Sequence, residues 1–277
     1  MASPATLDTL HLSVVGRYID IAAGCLVIFD YLLTLDLEIK FIWKSKFNLM
    51  KMMYFINRYT TIVNFILICV GWTTTDITIC PGLRKAEGVL YILGVYVAEY
   101  TFAMRTYVIW QKRKIVWIPL CIFYIGTLFY NFFSYFSMLN QARYFLLPSF
   151  NGCFAKLPPA DFTVWVLDLL FLTSYDTAMV ILVGWAAIDM WRSDTKVRSD
   201  LFRVLFCEGV LFYIYMLAFS AAALATVSIV KSNPYLFMFM SRCVRSILAS
   251  RVVLHIREMV HHQVECPTLT WRHGSLP

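Results

Sequence analysis

The sequence predicts an all-α protein, a polytopic membrane bundle of seven transmembrane helices, with six as the alternative count. Hydrophobic residues make up 60% of the 277 residues and charged residues only 15%, whereas soluble domains contain about 25% charged residues. Apolar segments long enough to cross a hydrocarbon core of about 30 Å as a helix recur along the chain. No Pro-, Gly- or Ser-rich linker separates them, so residues 1–277 are predicted to form a single integral membrane domain.

The first apolar segment, residues 17–43, carries four acidic residues: Asp20, Asp30, Asp36 and Glu38. At about 1.5 Å per residue, counting from Arg17 puts Asp30 near the bilayer midplane. A carboxylate there costs roughly 2.5 to 3.5 kcal/mol on insertion scales, so it must face a partner, a water-filled cavity or another protein surface. The first helix therefore predicts a helical bundle around it.

The remaining spans follow in order along the chain. The predicted segments are an outer tail 1–16, spans at about 17–39, 53–72, 87–110, 115–136, 162–190, 204–230 and 234–256, and an inner tail 257–277. The seventh span is the reason for the alternative count of six, because Arg242, Arg245 and Arg251 interrupt it. No Lys or Arg precedes Arg17, so the first helix is expected to be a retained signal anchor.

The distribution of basic residues predicts the orientation. With the N-terminus outside, 14 of the 24 Lys and Arg residues fall on the inner side, six on the outer side and four within spans. The positive-inside rule therefore favours an outer N-terminus and a cytoplasmic C-terminus, in either the plasma membrane or an endomembrane. Because the net charge of +7 arises in short loops beside apolar segments, the predicted partner is the lipid bilayer and not nucleic acid.

Two cysteines face the outer, oxidising side on this topology. Cys80 precedes the third helix, and Cys153 lies in the long second outer loop. A disulfide between them is chemically permitted, with two free thiols as the alternative, because the sequence does not supply the Cα separation that a disulfide requires.

The charged residues within spans predict contacts between helices. Arg58 of the second helix and Asp36 near the inner end of the first lie at similar depth, which favours a structural ion pair. Glu99 falls near the middle of the third helix and is expected to meet a basic residue of the seventh, either Arg242 or Arg245.

An excess of acids in the spans leaves two interpretations open. Asp168 and Asp176 share one broad face of the fifth helix, and with Asp20, Asp30 and Glu99 they could form an acidic cavity for a cation, an amine or a proton path. In the alternative, arginines neutralise these acids and hold the bundle together. The candidate intramembrane polar cluster comprises Asp30, Glu99, Asp168, Asp176, Arg242 and Arg245.

Catalytic signatures are missing from the sequence. It contains no H-E-x-x-H zinc motif, no G-x-S-x-G elbow and no P-loop, and its five histidines do not form the clusters of a di-iron enzyme. The chain is therefore expected not to be an enzyme, and neither a metal nor another cofactor is expected.

Several short motifs carry a resemblance to a known family. The run Asp30-Tyr31-Leu32-Leu33-Thr34-Leu35 with Glu38 and Trp43, followed by Arg58-Tyr59 and Arg105-Thr106-Tyr107, resembles a large family of fungal, mainly basidiomycete, multi-pass membrane proteins of unknown function. The resemblance is densest from Tyr18 to Tyr59. It departs at Glu208, where family members commonly have Asp before the glycine. The matching positions are Asp30, Glu38, Trp43, Arg58, Arg105, Glu208, Gly209 and Arg251. The resemblance implies seven helices and no established activity.

Three functions remain open at this point. An odd number of spans, an outer N-terminus and a basic inner loop at 192–203 favour a receptor-like sensor of an unknown small molecule, with a protein partner on the inner side. The alternative is a proton- or cation-coupled transporter using Asp30, Glu99 and Asp168. The second alternative is a structural or assembly protein without a ligand, since topology alone does not determine function.

Overall fold

The computed structural model describes residues 4–147, 150–156, 161–192, 200–229 and 237–265. Within these ranges the chain forms seven α-helices and one two-stranded hairpin, which confirms the predicted all-α bundle. In chain order the elements are α1 (Pro4–Glu38), α2 (Leu49–Thr73), α3 (Cys80–Ile109), α4 (Lys114–Gln141), β1 (Arg143–Leu147), β2 (Phe150–Lys156), α5 (Asp161–Arg192), α6 (Asp200–Ile229) and α7 (Met238–Glu265).

The helix ends differ from the predicted tails. Residues 4–16, predicted as an outer tail, form the beginning of α1, and proline suits a first helical turn because its missing N–H has no partner there. α1 continues past Glu38 as one π-helical turn, Ile39–Trp43. Residues 257–265, predicted as part of the inner tail, continue α7, and the rest of that tail lies outside the described residues.

Five of the helices, α1, α2, α4, α5 and α6, are long and apolar enough to cross a membrane. α3 and α7 are more polar and lie inside the bundle, where α7 contacts α1, α2, α3 and α6. Their buried side chains include Glu99, Arg242 and Arg245, each about 1% exposed. A helix surrounded by other helices need not present apolar side chains to lipid, so charged residues are tolerated on these two.

α7 runs parallel to α1 through the bundle. Phe239 packs in one cluster with Ala23, and further along α7 the Arg257 Nη1 atom donates to the carbonyl of Phe41 at 2.9 Å. The helix between Phe239 and Arg257 is about 27 Å long at 1.5 Å per residue. This length is close to the thickness of a hydrocarbon core, about 30 Å.

The bundle has two chemically different ends. The basic end carries the connections 44–48 and 110–113, which hold two lysines and a lysine–arginine pair respectively. α7 also ends there, since Arg257 Nη1 lies 2.6 Å from Ser45 Oγ. The disulfide end carries Cys80 and the hairpin formed by β1 and β2.

Glycines bring neighbouring helices into close contact. The ring of Phe65 on α2 lies against Gly24 of α1, and the ring of Tyr135 on α4 lies against Gly88 of α3. A Cβ atom at either glycine would overlap the facing ring. Because lipid removes most of the hydrophobic drive for helix association, such close packing and interhelical hydrogen bonds hold a membrane bundle together.

A disulfide joins Cys80 to Cys153 and ties the hairpin to the start of α3, with the two Cα atoms 5.7 Å apart. The hairpin is antiparallel and pairs Arg143 with Lys156. Arg84 Nη2 adds a hydrogen bond of 2.9 Å to the carbonyl of Cys153. The hairpin is therefore held over the disulfide end by both a covalent bond and a charge-assisted hydrogen bond.

We expect Cys153→Ser to lower the free energy of unfolding by about 2 to 4 kcal/mol, because the bridge closes a long loop of the unfolded chain. The measurement is thermal unfolding of the purified protein, with non-reducing peptide mapping to identify the bridge. Cys25→Ser is the matched control, since Cys25 is a free, exposed cysteine. Equal midpoints for the two variants, or free thiols at both bridge positions, would contradict the expectation.

Candidate functional site

The central junction consists of Arg245 on α7, Glu99 on α3, Asp176 on α5 and Ser220 on α6. The guanidinium pairs with the Glu99 carboxylate and, at 2.7 Å, with Asp176 Oδ2. It also donates to the Ser220 hydroxyl, which in turn donates to Asp176. All four side chains are at most 3% exposed. One buried arginine thus connects four helices.

The charges at this junction depend on one another. Isolated buried ions cost several kcal/mol each, and removing one partner of a buried pair leaves that cost uncompensated. Arg245 has planar N–H groups that contact two carboxylates at once, which a lysine ammonium does not reproduce. Of the two predicted partners for Glu99, the structure selects Arg245. Arg242, one turn away on α7, instead donates from Nη2 to Thr60 Oγ1 at 2.9 Å.

A second group of contacts joins α7 to α1 and α2. Arg251 Nε lies 2.7 Å from Asp30 Oδ1, so the carboxylate that the sequence places near the midplane is paired with α7. Asn57 Nδ2 donates to the carbonyl of Ser246 at 3.0 Å, and Ser246 Oγ donates back to the carbonyl of Asn57 at 3.1 Å. These contacts fix the register of α7 against α1 and α2.

The Glu38 cluster lies between α1 and α2 near the basic end. Arg58 Nε is 3.0 Å from Glu38 Oε2, and the hydroxyls of Tyr54 and Tyr59 donate to the same carboxylate at 3.3 and 3.1 Å. Trp43 Nε1 donates to Glu38 Oε1 at 3.0 Å. Glu38 is fully buried, and three neutral donors and one arginine satisfy its carboxylate.

The other side of the Arg58 guanidinium is also occupied. Its Nη2 atom donates to Thr34 Oγ1 at 2.6 Å and to the carbonyl of Tyr31 at 3.1 Å. The Tyr31 ring centroid lies 4.9 Å from the guanidinium carbon, a distance at which a cation–π contact is favourable. We include Tyr31, Thr34, Trp43, Glu38, Tyr54, Arg58 and Tyr59 in the Glu38 cluster.

The predicted partner of Arg58 is therefore corrected from Asp36 to Glu38. Asp30, Thr34 and Glu38 follow one another at intervals of four residues and so share one face of α1. Asp36 lies about 200° around the helix from Glu38, and its side chain is exposed. Asp36 and Glu38 lie at similar depth along α1, and the side of the helix determines which of them pairs with Arg58.

The structure separates the acids that the sequence grouped into a single cavity. Glu99 and Asp176 share Arg245, whereas Asp30 pairs with Arg251. Asp168 accepts a hydrogen bond from Ser134 Oγ at 3.2 Å and has no basic partner within 4 Å among the described residues. Asp20 lies near Arg84 and Glu87 at the disulfide end. The six-residue polar cluster is thus distributed over several sites.

At the disulfide end, charged side chains order the chain before and after the start of α3. Arg84 Nη1 lies 2.8 Å from Glu87 Oε2. Asp76 accepts hydrogen bonds from the amide and hydroxyl of Thr78 at 2.9 and 2.8 Å, and these bonds lower the pKa of the exposed Asp76 carboxyl. This turn positions Cys80 for its disulfide.

Some site residues give little signal in the sequence. Ser220 is one of several small residues in an apolar helix, and nothing in its neighbourhood distinguishes it. Arg251 belongs to the basic residues predicted for the inner side, and its pairing with Asp30 depends on which helices are neighbours. Glu208 and Gly209 lie in α6, but the Glu208 side chain lies outside the described part of the chain. Among the described residues, no group of three or more His, Cys, Asp or Glu side chains is placed to hold a metal ion.

Five apolar helices around a polar interior define the class: an all-α, multi-pass integral membrane protein. Residues 18–63 match the model of DUF6533, a family of unknown function. The match runs from α1 into α2 and contains every member of the Glu38 cluster. No curated protein matches the chain.

Proposed function

We propose that this protein is a receptor-like sensor of small molecules, with seven membrane spans and no catalytic step. The observation that carries the proposal is the central junction, where one buried arginine joins four helices. Networks of buried charges have discrete arrangements, and a ligand that favours one arrangement shifts the packing of all the helices involved. Such a junction is suited to convert binding in the bundle into movement at its ends.

The two ends of the bundle support a particular orientation. Lys-rich connections are retained in the cytoplasm, and disulfides persist in oxidising compartments. We therefore place the basic end in the cytoplasm and the disulfide end outside, with the N-terminus outside and α3 and α7 as the two polar spans. The inner protein partner is proposed to bind at the basic loop 192–203, of which residues 193–199 lie outside the described part. We also propose that the chain resembles fungal membrane proteins over more of its length than residues 18–63.

The test measures movement at the basic end. Spin labels at Lys44 and Lys112, both exposed, report the distance between the two basic connections in lipid nanodiscs. We expect at least one member of a small-molecule library to shift this distance by several Å. Labels at Ile115 and Phe133, both exposed on α4, form the control pair, whose distance must stay constant. A library that binds, as shown by thermal stabilisation, without shifting the first distance contradicts a sensor.

Asp168 favours a second candidate, a proton- or cation-coupled transporter. Its carboxyl group is only 6% exposed and, within the described residues, lacks the arginine partner that Asp30, Glu38, Glu99 and Asp176 all have. Buried carboxylates without a counter-charge serve as proton or cation sites in membrane proteins. Proton or cation flux into proteoliposomes that is abolished by Asp168→Asn, with no movement at the basic end, would favour transport. If neither movement at the basic end nor flux is detected, the structural or assembly role is the one that remains.

A further inference from the structure

Arg242 is the buried arginine whose charge the described residues do not neutralise. Its side chain is 1% exposed, and its Nη2 atom donates to Thr60 Oγ1 at 2.9 Å. The Nε and Nη1 atoms are buried and have no hydrogen-bond partner among the described residues. No carboxylate of those residues lies within 4 Å of the guanidinium, and the segment 230–236 preceding α7 contains no Asp or Glu.

Three other arginines of the described helices each have a carboxylate partner within 4 Å. Arg58 pairs with Glu38, Arg245 with Glu99 and Asp176, and Arg251 with Asp30. An ionised side chain buried without a partner costs several kcal/mol. A guanidinium remains protonated in proteins, so it does not avoid this cost by losing its proton. The charge of Arg242 therefore requires a negative partner.

The surroundings of the guanidinium are shaped to hold it in place. It lies against the backbone of Gly94 on α3, in space that a Cβ atom would fill.

We propose that Arg242 binds a small monovalent anion, either a halide or the carboxylate of a small organic acid. This inference rests on the proposed function, for which it names the ligand class. The anion accepts hydrogen bonds from the unpaired N–H groups and neutralises the buried charge. Charge-assisted hydrogen bonds of this kind are about twice as strong as neutral ones. A neutral ligand does not supply the missing charge.

The experiment measures the unfolding midpoint Tm of the purified protein in nanodiscs against sodium chloride and, separately, sodium acetate. Ionic strength is held constant with sodium isethionate. We expect a saturable rise of Tm with at least one of the two anions, by about 3 to 6 °C at tenfold the dissociation constant. A response to chloride alone identifies a halide site, and a response to acetate alone or to both identifies a carboxylate-accepting site.

Arg242→Gln is expected to abolish the anion response while keeping the fold, because it removes an unpaired charge and breaks no ion pair. Gly94→Ala keeps the arginine but crowds the guanidinium, and is expected to weaken apparent anion affinity at least tenfold. Lys112→Gln removes an exposed cation and should respond like the wild type. The absence of a saturable response in the wild type, or an equal response in Arg242→Gln, overturns the proposal. Neither result affects the spin-label test of the sensor.

Discussion

Arg245→Met is expected to lower the free energy of unfolding by about 3 to 5 kcal/mol, the range found when one partner of a buried ion pair is removed. The carboxylates of Glu99 and Asp176 would remain buried without their arginine, and Ser220 would lose a donor. The contacts between α7 and the helices α3, α5 and α6 would weaken together. Thermal unfolding in detergent, read by tryptophan fluorescence, and the yield of monodisperse protein measure the effect.

Neutralising the stranded acids provides the control for this prediction. The triple variant Arg245→Met, Glu99→Gln, Asp176→Asn is expected to recover at least half of the lost stability, because it no longer buries an uncompensated charge. Arg245→Lys should fall between the wild type and Arg245→Met, since lysine retains the charge without the planar geometry. A single Arg245→Met variant as stable as the wild type would mean that the junction does not hold the helices together.

Glu38→Gln is the second large expected loss, about 2 to 4 kcal/mol, because the neutral amide leaves Arg58 buried without a counter-charge. Asp36→Asn likewise replaces a carboxylate by an amide, but at an exposed position two residues away, and should leave Tm unchanged. The comparison of these two variants measures directly which acid pairs with Arg58. A larger loss of stability for Asp36→Asn than for Glu38→Gln would contradict the Glu38 pairing and favour the pairing of Arg58 with Asp36 that depth alone predicts.

A double-mutant cycle separates the ion pair from the rest of the Glu38 cluster. Glu38→Gln and Arg58→Gln are each expected to be destabilising, and their combination should cost less than the sum, with a coupling of about 1 to 3 kcal/mol. The tyrosine and tryptophan donors remain in all four proteins, so their contribution cancels. Strict additivity would show that Glu38 and Arg58 do not interact.

The helical bundle was predictable because the lengths of the apolar segments and the low charge content leave few other folds for the chain. The ends of the helices were less predictable. Residues 4–16 mix apolar and polar residues, so their composition does not distinguish a helical extension from a tail. α7 carries Arg242, Arg245 and Arg251, so its apolar signal is weak, and its place inside the bundle becomes evident only from the acids of neighbouring helices.

The site was predictable in chemistry but not in pairing. The sequence shows that Glu99 needs a basic partner on the last helix, and depth along the axes leaves only Arg242 and Arg245 as candidates. Choosing between them requires the rotation of α7, which a single sequence does not specify. The same ambiguity underlies the predicted pairing of Arg58 with Asp36 in place of Glu38. Asp30 and Glu99 both lie mid-span, which predicts one cluster, but they pair with different arginines of α7.

The most direct test of the seven-span account is the location of the two chain termini. Reporters fused to each end, combined with labelling of Cys80 and Cys153 before and after reduction, determine topology in intact cells. The account predicts termini on opposite sides of the membrane, with the C-terminus in the cytoplasm and both cysteines labelled only after reduction. Termini on the same side would mean that an even number of helices crosses the membrane, with α3 or α7 not spanning it, and would contradict the account.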